Sequence, residues 1–280
     1  GKAFSYMLLF VLLLFSTENY GQCPYPAGTT QVGSAVTFCI DNPAANTISG
    51  VVNNSYVVFN VVQGFSYTFS VNNIWGGDNE VINIYNDTSP SASLGNGSNG
   101  NGVSVNYTAA FSGAIRILVN RVSCGATSTG TNGTLTITLT GVNNTLDNQL
   151  SAGTDSWIGH VYNSAVSGTP TSGVSTGAMF TPSSLRGYVG YYTESESFGL
   201  QNFGGNTACF QTLSNGANRV NVYTGQYAVR YRMRSTRPAG CYLITVRGDD
   251  GTRLYVNGTS VAGLDQWTEH VTTTYASVMV

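Results

Sequence analysis

Charged side chains are scarce in this chain of 280 residues, and the scarcity excludes several classes of protein. Asp, Glu, Lys and Arg make up 9% of the residues, the net charge is −2 at pH 7, and the only lysine is Lys2. So little charge gives no long-range attraction to nucleic acid or to an acidic membrane surface. Solvent-facing helices usually carry many charged residues in a 3.6-residue period, and no stretch after the first 21 residues shows that period.

Long apolar runs and metal-binding spacings are missing as well. The run Met7–Phe15 has nine apolar residues, fewer than the 20 or so that a membrane helix needs, and no later segment is longer. No two cysteines have the C-x-x-C spacing, and His160 and His270, the only histidines, do not form an H-x-x-x-H pair. We therefore expect no zinc or redox motif, no membrane insertion of the mature chain, and structural or incidental roles for both histidines.

The first 21 residues are typical of a secretory signal peptide. Lys2 supplies a positive charge, Met7–Phe15 supplies the apolar core, and the small residue Gly21 suits the cleavage position. Cleavage there leaves Gln22 as the mature N-terminus; Met7 is an alternative start. The sequence thus predicts a secreted or cell-surface protein.

Residues 22–141 are expected to form one β domain. Phe65–Val71 and Thr134–Thr140 alternate apolar and polar residues, which is the period of a half-buried strand. Tyr56–Val62 is more continuously apolar, interrupted only by Asn60, and fits a central strand. Further strands are expected at 81–85, 103–107 and 115–119. The glycine- and asparagine-rich stretch 95–102 is expected to be a flexible surface loop.

A second β domain is predicted for residues 155–280, after a polar linker at 142–154. Strands are expected at Tyr227–Met233 and Cys241–Val246. Leu254–Val261 contains Asn257-Gly258, the dipeptide that favours a two-residue hairpin turn. The fold class predicted is all-β, with two β-sandwich or jelly-roll-like domains in tandem after the signal peptide. We expect the second domain to continue past Val280.

Five cysteines in an exported chain predict disulfide bonds. Cys209 and Cys241 are the only two in the second half, so they are the natural pair there. In the first half three cysteines compete; the pairing Cys39–Cys124 is favoured because it joins the two ends of the domain, and Cys23 is left over. Each bridge is expected to stabilise the fold by about 2–4 kcal/mol.

The run Asp249-Asp250-Gly251 is the strongest indication of chemistry. Two adjacent carboxylates repel each other, so a strand end that places them together suggests a use for both. Calcium binds six to eight oxygen ligands, and paired carboxylates supply dense negative oxygen. Positions left open on such an ion suit the vicinal hydroxyls of a sugar. The alternative is an exposed turn in which Asp side chains bond to the backbone.

This part of the chain resembles the protective-antigen-fourteen domain, a β module that recurs in bacterial toxins, glycosidases and fungal flocculation adhesins. The resemblance covers roughly residues 155–280, about half of the chain. Its most specific element is Asp249-Asp250-Gly251-x-Arg253-Leu254. The other elements are aromatic and glycine positions flanking that run: Gly240-x-Tyr242, Asn257-Gly258, Trp267, Trp157–Tyr162, Tyr188-x-Gly190 and Phe198.

The resemblance implies a calcium site with glycan as the partner. In sugar-binding members the paired aspartates bind calcium through a cis peptide, and the calcium holds the glycan; by resemblance that role falls on Asp249 and Asp250. Asn257 stands where many members have Asp and is expected to shape the turn beside the site. Trp267 is expected to be a core residue or a sugar platform. The second calcium loop of the family lies later than Val280.

Two weaker candidate sites lie on predicted strands of the second domain. Arg230, Arg232 and Arg234 share one strand face and, with Arg237, could meet an anionic glycan; the alternative is a solvated sheet face. Glu194 and Glu196 also share a face, and paired carboxylates hydrolyse glycosides, but those carboxylates flank the bond from separate elements. A solvated strand face is favoured for both sets.

The first half holds one further candidate, in which Asp78 and Glu80 lie beside Trp75. Tryptophan stacks on sugar faces and carboxylates accept bonds from hydroxyls, so an ion or sugar site is one interpretation. A tryptophan packed over the sandwich edge is the favoured one.

These observations favour a non-catalytic, calcium-assisted carbohydrate-binding or adhesion module of a larger protein. Two alternatives stay open. One is a non-catalytic accessory region of a secreted glycoside hydrolase or other hydrolase. The other is a structural spacer without a ligand, for which substitution of Asp249 and Asp250 would change no binding.

Overall fold

The computed structural model of the chain describes residues 29–37, 39–40, 47–72, 74–75, 79–99, 102–122, 132–143, 146–163, 180, 187–205, 207–216, 218–225, 227–268 and 270–279. These residues form β-strands and no α-helix, and none of them belongs to a helix that could cross a membrane. The prediction of an all-β fold is confirmed. The predicted signal peptide, residues 1–21, lies outside the described residues.

Two stacked sheets form a β-sandwich in the first half. Its strands are β1 (Thr30–Gln31), β2 (Val36–Thr37), β4 (Thr47–Val51), β5 (Ser55–Val61), β6 (Ser66–Val71), β7 (Glu80–Asn86), β8 (Ser93–Asn99), β9 (Val103–Thr108), β10 (Gly113–Arg121) and β11 (Gly133–Gly141). One sheet has the order β1-β5-β10-β7-β8, with β2 also paired to β5, and the other has the order β4-β11-β6-β9. All six strands predicted for this half are present.

The core of the sandwich comes from alternate residues of facing strands. Phe59 on β5 is fully buried and contacts Tyr67 and Phe69 on β6, with ring centroids 5.3 and 5.7 Å apart. Both contacts are edge-to-face, the arrangement that aromatic quadrupoles favour. The period-2 alternation seen in the sequence therefore marks which side chains fill the space between the sheets.

The glycine-rich stretch predicted as a flexible loop is largely a strand. β8 pairs with β7 in antiparallel register, with Gly97 opposite Ile82 and Gly95 opposite Ile84. A Cβ atom on Gly97 would lie 2.8 Å from the Val105 side chain. The glycines here allow close packing of β8 against β9, so the loop expected at 95–102 is wrong for the residues up to Asn99.

The second half contains one large sheet and two small ones. Its strands are β12 (Gly153–Thr154), β13 (Ser156–Asn163), β14 (Tyr188–Ser195), β15 (Cys209–Ser214), β16 (Asn218–Tyr223), β17 (Tyr227–Arg234), β18 (Tyr242–Gly248), β19 (Thr252–Val256), β20 (Thr259–Gln266) and β21 (Thr273–Met279). The large sheet has the order β12-β17-β13-β14-β15-β16-β3, where β3 is Cys39–Ile40; β18 pairs with β21, and β19 with β20.

Strand β3 joins the two halves and carries the disulfide bond. Cys39 and Ile40 lie opposite Asn221 and Val222 of β16. Cys39 is bonded to Cys209, with 6.1 Å between the Cα atoms and 170 residues between them in sequence. The predicted pairs Cys39–Cys124 and Cys209–Cys241 are therefore both wrong.

The physical reason is that a strand from the first half completes a sheet of the second. β3 pairs with β16 of the large sheet, and the Cα atoms of Cys39 and Cys209 lie 6.1 Å apart, within the distance that a disulfide bond spans. Cys241 is an exposed free thiol. Cys23 and Cys124 lie outside the described residues.

The predicted linker, 142–154, is held against the large sheet over its second part. Tyr162 donates a hydrogen bond to the Gln149 side chain at 2.8 Å, and Arg232 Nε donates to the Gln149 carbonyl at 3.1 Å. Gly153 and Thr154 add a short strand to the sheet edge beside β17. The division into two domains stays a prediction, and the connecting segment packs as part of the second.

Loss of the Cys39–Cys209 bridge should lower the free energy of unfolding by about 2–5 kcal/mol, because the bridge closes a long loop in the unfolded chain. Denaturant unfolding of Cys39→Ser with Cys209→Ser measures the loss. The control Cys241→Ser removes an exposed free thiol and should leave stability unchanged. A peptide map under non-reducing conditions that shows Cys209 bonded to Cys241 would contradict the structure.

Candidate functional site

The paired aspartates lie where β18 ends, opposite the point where β21 begins. Antiparallel pairing sets Gly248 against Thr273, so the residues that follow β18 and the residues that precede β21 meet at one end of the small sheet. Gly248 is required there, because a Cβ atom on it would lie 2.1 Å from the Thr252 side chain. The glycine lets the chain turn tightly from Asp249 and Asp250 into β19.

Each aspartate accepts a hydrogen bond from the segment that precedes β21. Thr272 Oγ1 donates to Asp249 Oδ2 at 2.8 Å, and the backbone N–H of His270 lies 3.4 Å from Asp250 Oδ1. The peptide bond between the two aspartates is cis, as the family resemblance implies. Asp249 is exposed and Asp250 is partly exposed, so both carboxylates are fixed at a surface that solvent reaches.

Trp267 lies at the same end of the β19–β20 hairpin as the aspartates. Thr252 pairs with Gln266, which sets the following residue, Trp267, beside the start of β19. The guanidinium of Arg253 lies 5.7 Å from the Trp267 ring centre and forms an ion pair with Asp265. The indole is half-buried. With Arg253 over the ring, Trp267 serves packing more than it offers an open platform to a sugar.

Asn257 lies at the opposite end of that hairpin. Asn257 and Gly258 have φ angles of 50° and 82°, so they form the two-residue turn that their sequence predicts. Val256 pairs with Thr259 beside this turn, and Val256 is four residues along the strand from Thr252. At about 3.3 Å per residue the turn is roughly 15 Å from the aspartates. Asn257 therefore shapes a turn, as expected, but the turn lies at the far end of the hairpin from the aspartates and not beside them.

The donor chemistry of the aspartates fits calcium. Carboxylate oxygens are the hard ligands that calcium prefers, whereas structural zinc takes nitrogen and sulfur donors. The described residues contain no group of three or more His, Cys, Asp or Glu side chains that could hold a metal.

Glu80 has a structural role in the first sandwich. Its side chain is fully buried, and its carboxylate accepts hydrogen bonds from the backbone N–H groups of Ile74 at 2.7 Å and Gly102 at 2.9 Å. Trp75 is buried beneath Arg121, whose guanidinium lies 5.5 Å from the ring centre. Neither residue is open to a sugar, which agrees with the packing interpretation. Asp78 lies outside the described residues.

Glu80→Gln should lower the free energy of unfolding by about 2 kcal/mol or more, because backbone N–H groups would lose a charged acceptor and face an amide donor instead. Asp87→Asn is the matched control; Asp87 forms a partly exposed ion pair with Arg116, so it should cost less than about 1 kcal/mol. Denaturant titration of both variants gives the two values. Equal losses would contradict the structural role of Glu80.

Four of the six remaining candidate residues in the second half have partners of their own: Glu196, Arg230, Arg232 and Arg237. Glu196 accepts a hydrogen bond from Arg237 Nη2 at 2.7 Å, and this pairing holds the pKa of Glu196 below its usual range. An ionised, paired carboxylate does not suit a glycosidase acid. Arg232 bonds to the linker segment, and Arg230 lies 4.3 Å from the ring centre of Phe180. The arginine face is therefore partly covered rather than a free anion site.

His160 is a buried structural histidine. Its Nε2 lies 2.9 Å from the carbonyl oxygen of Ser151, and its ring contacts Tyr188 with 5.9 Å between centroids. Burial lowers the pKa of His160, and the nearby charge of Arg232 lowers it further. The imidazole is therefore neutral in the folded protein near pH 7, in keeping with its expected structural role.

The stability of the fold should fall as the pH drops from about 7 to 5. Because the pKa of His160 is lowered on folding, the unfolded chain binds this proton more readily, and the stability contributed above the ordinary histidine pKa of about 6.5 is lost below it. Thermal unfolding of wild type and His160→Gln across that range measures the effect, and the variant should show the shallower slope. Identical slopes would rule out His160 as a source of the pH dependence.

Sequence reasoning missed two features of the chain. One is the pair of hydrogen bonds that Thr272 and His270 donate to the aspartates. Only the pairing of β18 with β21 brings these residues together. The spacing G-x-S-x-G, which marks the nucleophile of one hydrolase class when a strand precedes it and a helix follows, occurs at 173–177. Those residues lie outside the described part of the chain.

Comparison with known proteins gives a match in the first half. Residues 46–144 match a family model described as a domain of unknown function (DUF8695). No curated protein matches the chain. Among solved structures, the chain is similar to the pre-peptidase C-terminal domain of a collagenase from Bacillus anthracis, with 17% identity and a TM-score of 0.28 over 40% of this chain and 97% of that one. The resemblance of residues 155–280 to the protective-antigen-fourteen family stays a prediction.

Proposed function

We propose that this chain is a non-catalytic, calcium-assisted carbohydrate-binding or adhesion module that works outside the cytoplasm. The observation that carries the proposal is the fixed, accessible pair of carboxylates at Asp249 and Asp250. Thr272 and His270 hold one oxygen of each carboxylate from the facing segment, so the pair is oriented before any ligand arrives.

A divalent cation removes the repulsion between the two carboxylates. Adjacent negative charges raise the free energy of the empty loop, and the attraction of both to one calcium ion offsets that cost. Calcium supplies a centre of positive charge whose open coordination positions take oxygen ligands. The vicinal hydroxyls of a sugar fit those positions by replacing water.

The orientation of the carboxylates determines where such an ion would lie. Thr272 donates its hydroxyl proton to Asp249, and the N–H of His270 points toward Asp250. Both donors lie on the side of the β21 strand, so the solvent side of the loop is where an ion and then a glycan would bind.

An extracellular setting supports the proposal. The Cys39–Cys209 bond is of a kind that forms and persists in oxidising compartments. Extracellular calcium modules bind with dissociation constants of about 10⁻⁴–10⁻³ M, and a site with two carboxylates needs no tighter affinity there. The secreted or surface-displayed location rests on this bond together with the signal-like N-terminal sequence.

Asp249→Asn combined with Asp250→Asn should abolish calcium binding, because it removes both negative charges while keeping the side-chain shapes. Calorimetry of the wild type should give a dissociation constant of about 10⁻⁴–10⁻³ M, and the double variant should release no heat. Glu194→Gln removes one charge from a different strand and serves as control. Calcium binding by the double variant equal to that of wild type would refute the site.

Glycan binding should depend on the same residues. A glycan array probed with the full chain in calcium, and again in chelator, tests this. The expected result is a set of glycans bound by wild type in calcium and lost both in chelator and in the double variant. Binding that survives chelator would locate glycan recognition away from Asp249 and Asp250.

A further inference from the structure

Residues 146–152, which precede β12, lie across one face of the large sheet and are held there by polar contacts. The carbonyl oxygen of Ser151 lies 2.9 Å from Nε2 of His160 on β13, and Arg232 Nε on β17 donates to the Gln149 carbonyl at 3.1 Å. β13 and β17 are neighbouring strands, so these contacts fix the segment over the centre of the pair. We call residues 146–152 the strap.

The strap has little apolar attachment to the sheet. Its two leucines, Leu146 and Leu150, are 38% and 71% exposed. A segment held by a few hydrogen bonds, with few buried apolar side chains, opens locally at a lower free-energy cost than the whole domain. The sheet does not depend on the strap, because β13 and β17 pair directly with each other. The strap can therefore leave the sheet while these two strands stay paired.

His160 lies beneath the strap and is incompletely hydrogen-bonded. Its side chain is 1% exposed, and its Nδ1 has no hydrogen-bond partner among the residues that the structure describes. Because Nε2 faces the Ser151 carbonyl, that contact assigns the proton of the neutral ring to Nε2. A second proton, added at Nδ1, creates a buried donor without an acceptor, which is unfavourable.

The charges around His160 oppose its protonation as well. Burial is the main cause that lowers the pKa of His160, and the two nearby guanidinium groups lower it further, against the strap carbonyl and Asp147, which raise it. The charged and titratable groups that face His160 from the described elements are Arg230 and Arg232 on β17, Asp147 in the strap, and Tyr188 and Tyr191 on β14.

We propose that the strap is a pH-sensitive switch, closed on the large sheet near neutral pH and released locally when His160 takes up a proton from solvent. Release gives both ring nitrogens access to water, which removes the cost of a buried imidazolium. It also separates the guanidinium of Arg232 from the Gln149 carbonyl. The switch thus couples the accessibility of Arg232 to the pH of the surroundings.

The pH range of the switch follows from the direction of the pKa shift. With the strap open, His160 is in water and has the ordinary histidine pKa of about 6.5. With the strap closed, the pKa is lower, so the closed form binds the proton less readily. Closure is therefore most stable above about pH 6.5 and loses stability as the pH falls from there towards the lower pKa of the closed form.

Amide hydrogen exchange of the full chain at about pH 7.5 and about pH 5 tests the switch. The N–H of Asn215 donates to the Asp147 carboxylate in the strap at 2.6 Å, so its exchange reports whether the strap is docked. After correction for the intrinsic pH dependence of exchange, protection of Asn215 and of the strap should fall about tenfold at the lower pH. The paired amides of β13 and β17 should keep their protection, because the release is local.

His160→Gln keeps a donor for the Ser151 carbonyl but takes up no proton, so its strap should stay docked at both pH values. His270→Gln removes the other histidine of the chain and should behave like wild type. If His160→Gln does not fold, Asp147→Asn serves instead: it keeps an acceptor for Asn215 but removes the negative charge facing His160, so release should exceed that of wild type.

Four results would each overturn the proposal. The first is equal protection of the wild-type strap at both pH values, and the second is the same acid-induced loss in His160→Gln. The third is a loss in wild type that extends equally to β13 and β17, since that is global unfolding. The fourth is a smaller release in Asp147→Asn than in wild type.

Discussion

The two halves of this chain are joined by the pairing of β3 with β16, and the rest of the architecture depends on that contact. A strand of only two residues, Cys39 and Ile40, adds to the seven-stranded sheet and is fixed there by the bond to Cys209. Ile40 belongs to one continuous apolar cluster with Phe59 of the first sandwich and Val222 of the large sheet. Burial across this junction makes the first sandwich a support for the second half.

The chain has few charged side chains, and they fall into two groups by the role of their contacts. Those with a defined partner each have a specific role in the structure. The carboxylate of Glu80 accepts a hydrogen bond from a backbone N–H group inside the first sandwich, and Arg237 forms an ion pair with Glu196 on the large sheet. Asp249 and Asp250 are different, because both carboxylates lie together at an accessible strand end. That contrast supports the proposed binding function of Asp249 and Asp250.

Local patterns predicted about half of the strands, and pairings between distant segments escaped prediction. The alternation in Thr134–Thr140 and the dipeptide Asn257-Gly258 each depend on neighbouring residues, so the sequence reveals them directly. The Cys39–Cys209 bond depends on a strand that crosses between halves, and no local pattern signals that crossing. At Gly97 the sequence is compatible with both a flexible loop and a tightly packed strand, because glycine allows either; the close approach of the Val105 side chain decides between them.

The candidate site likewise combines residues that the sequence reveals with contacts that only the structure reveals. Asp249 and Asp250 stand out in the sequence as adjacent like charges, but their support from Thr272 arises only from the register of β18 with β21.

A crystal structure of the full chain grown with calcium is the most direct test of the central claim. If the two aspartates hold calcium, the crystals will show an ion at about 2.3–2.6 Å from oxygens of both Asp249 and Asp250. A well-ordered loop with water alone between these carboxylates, in crystals soaked in millimolar calcium, would contradict it.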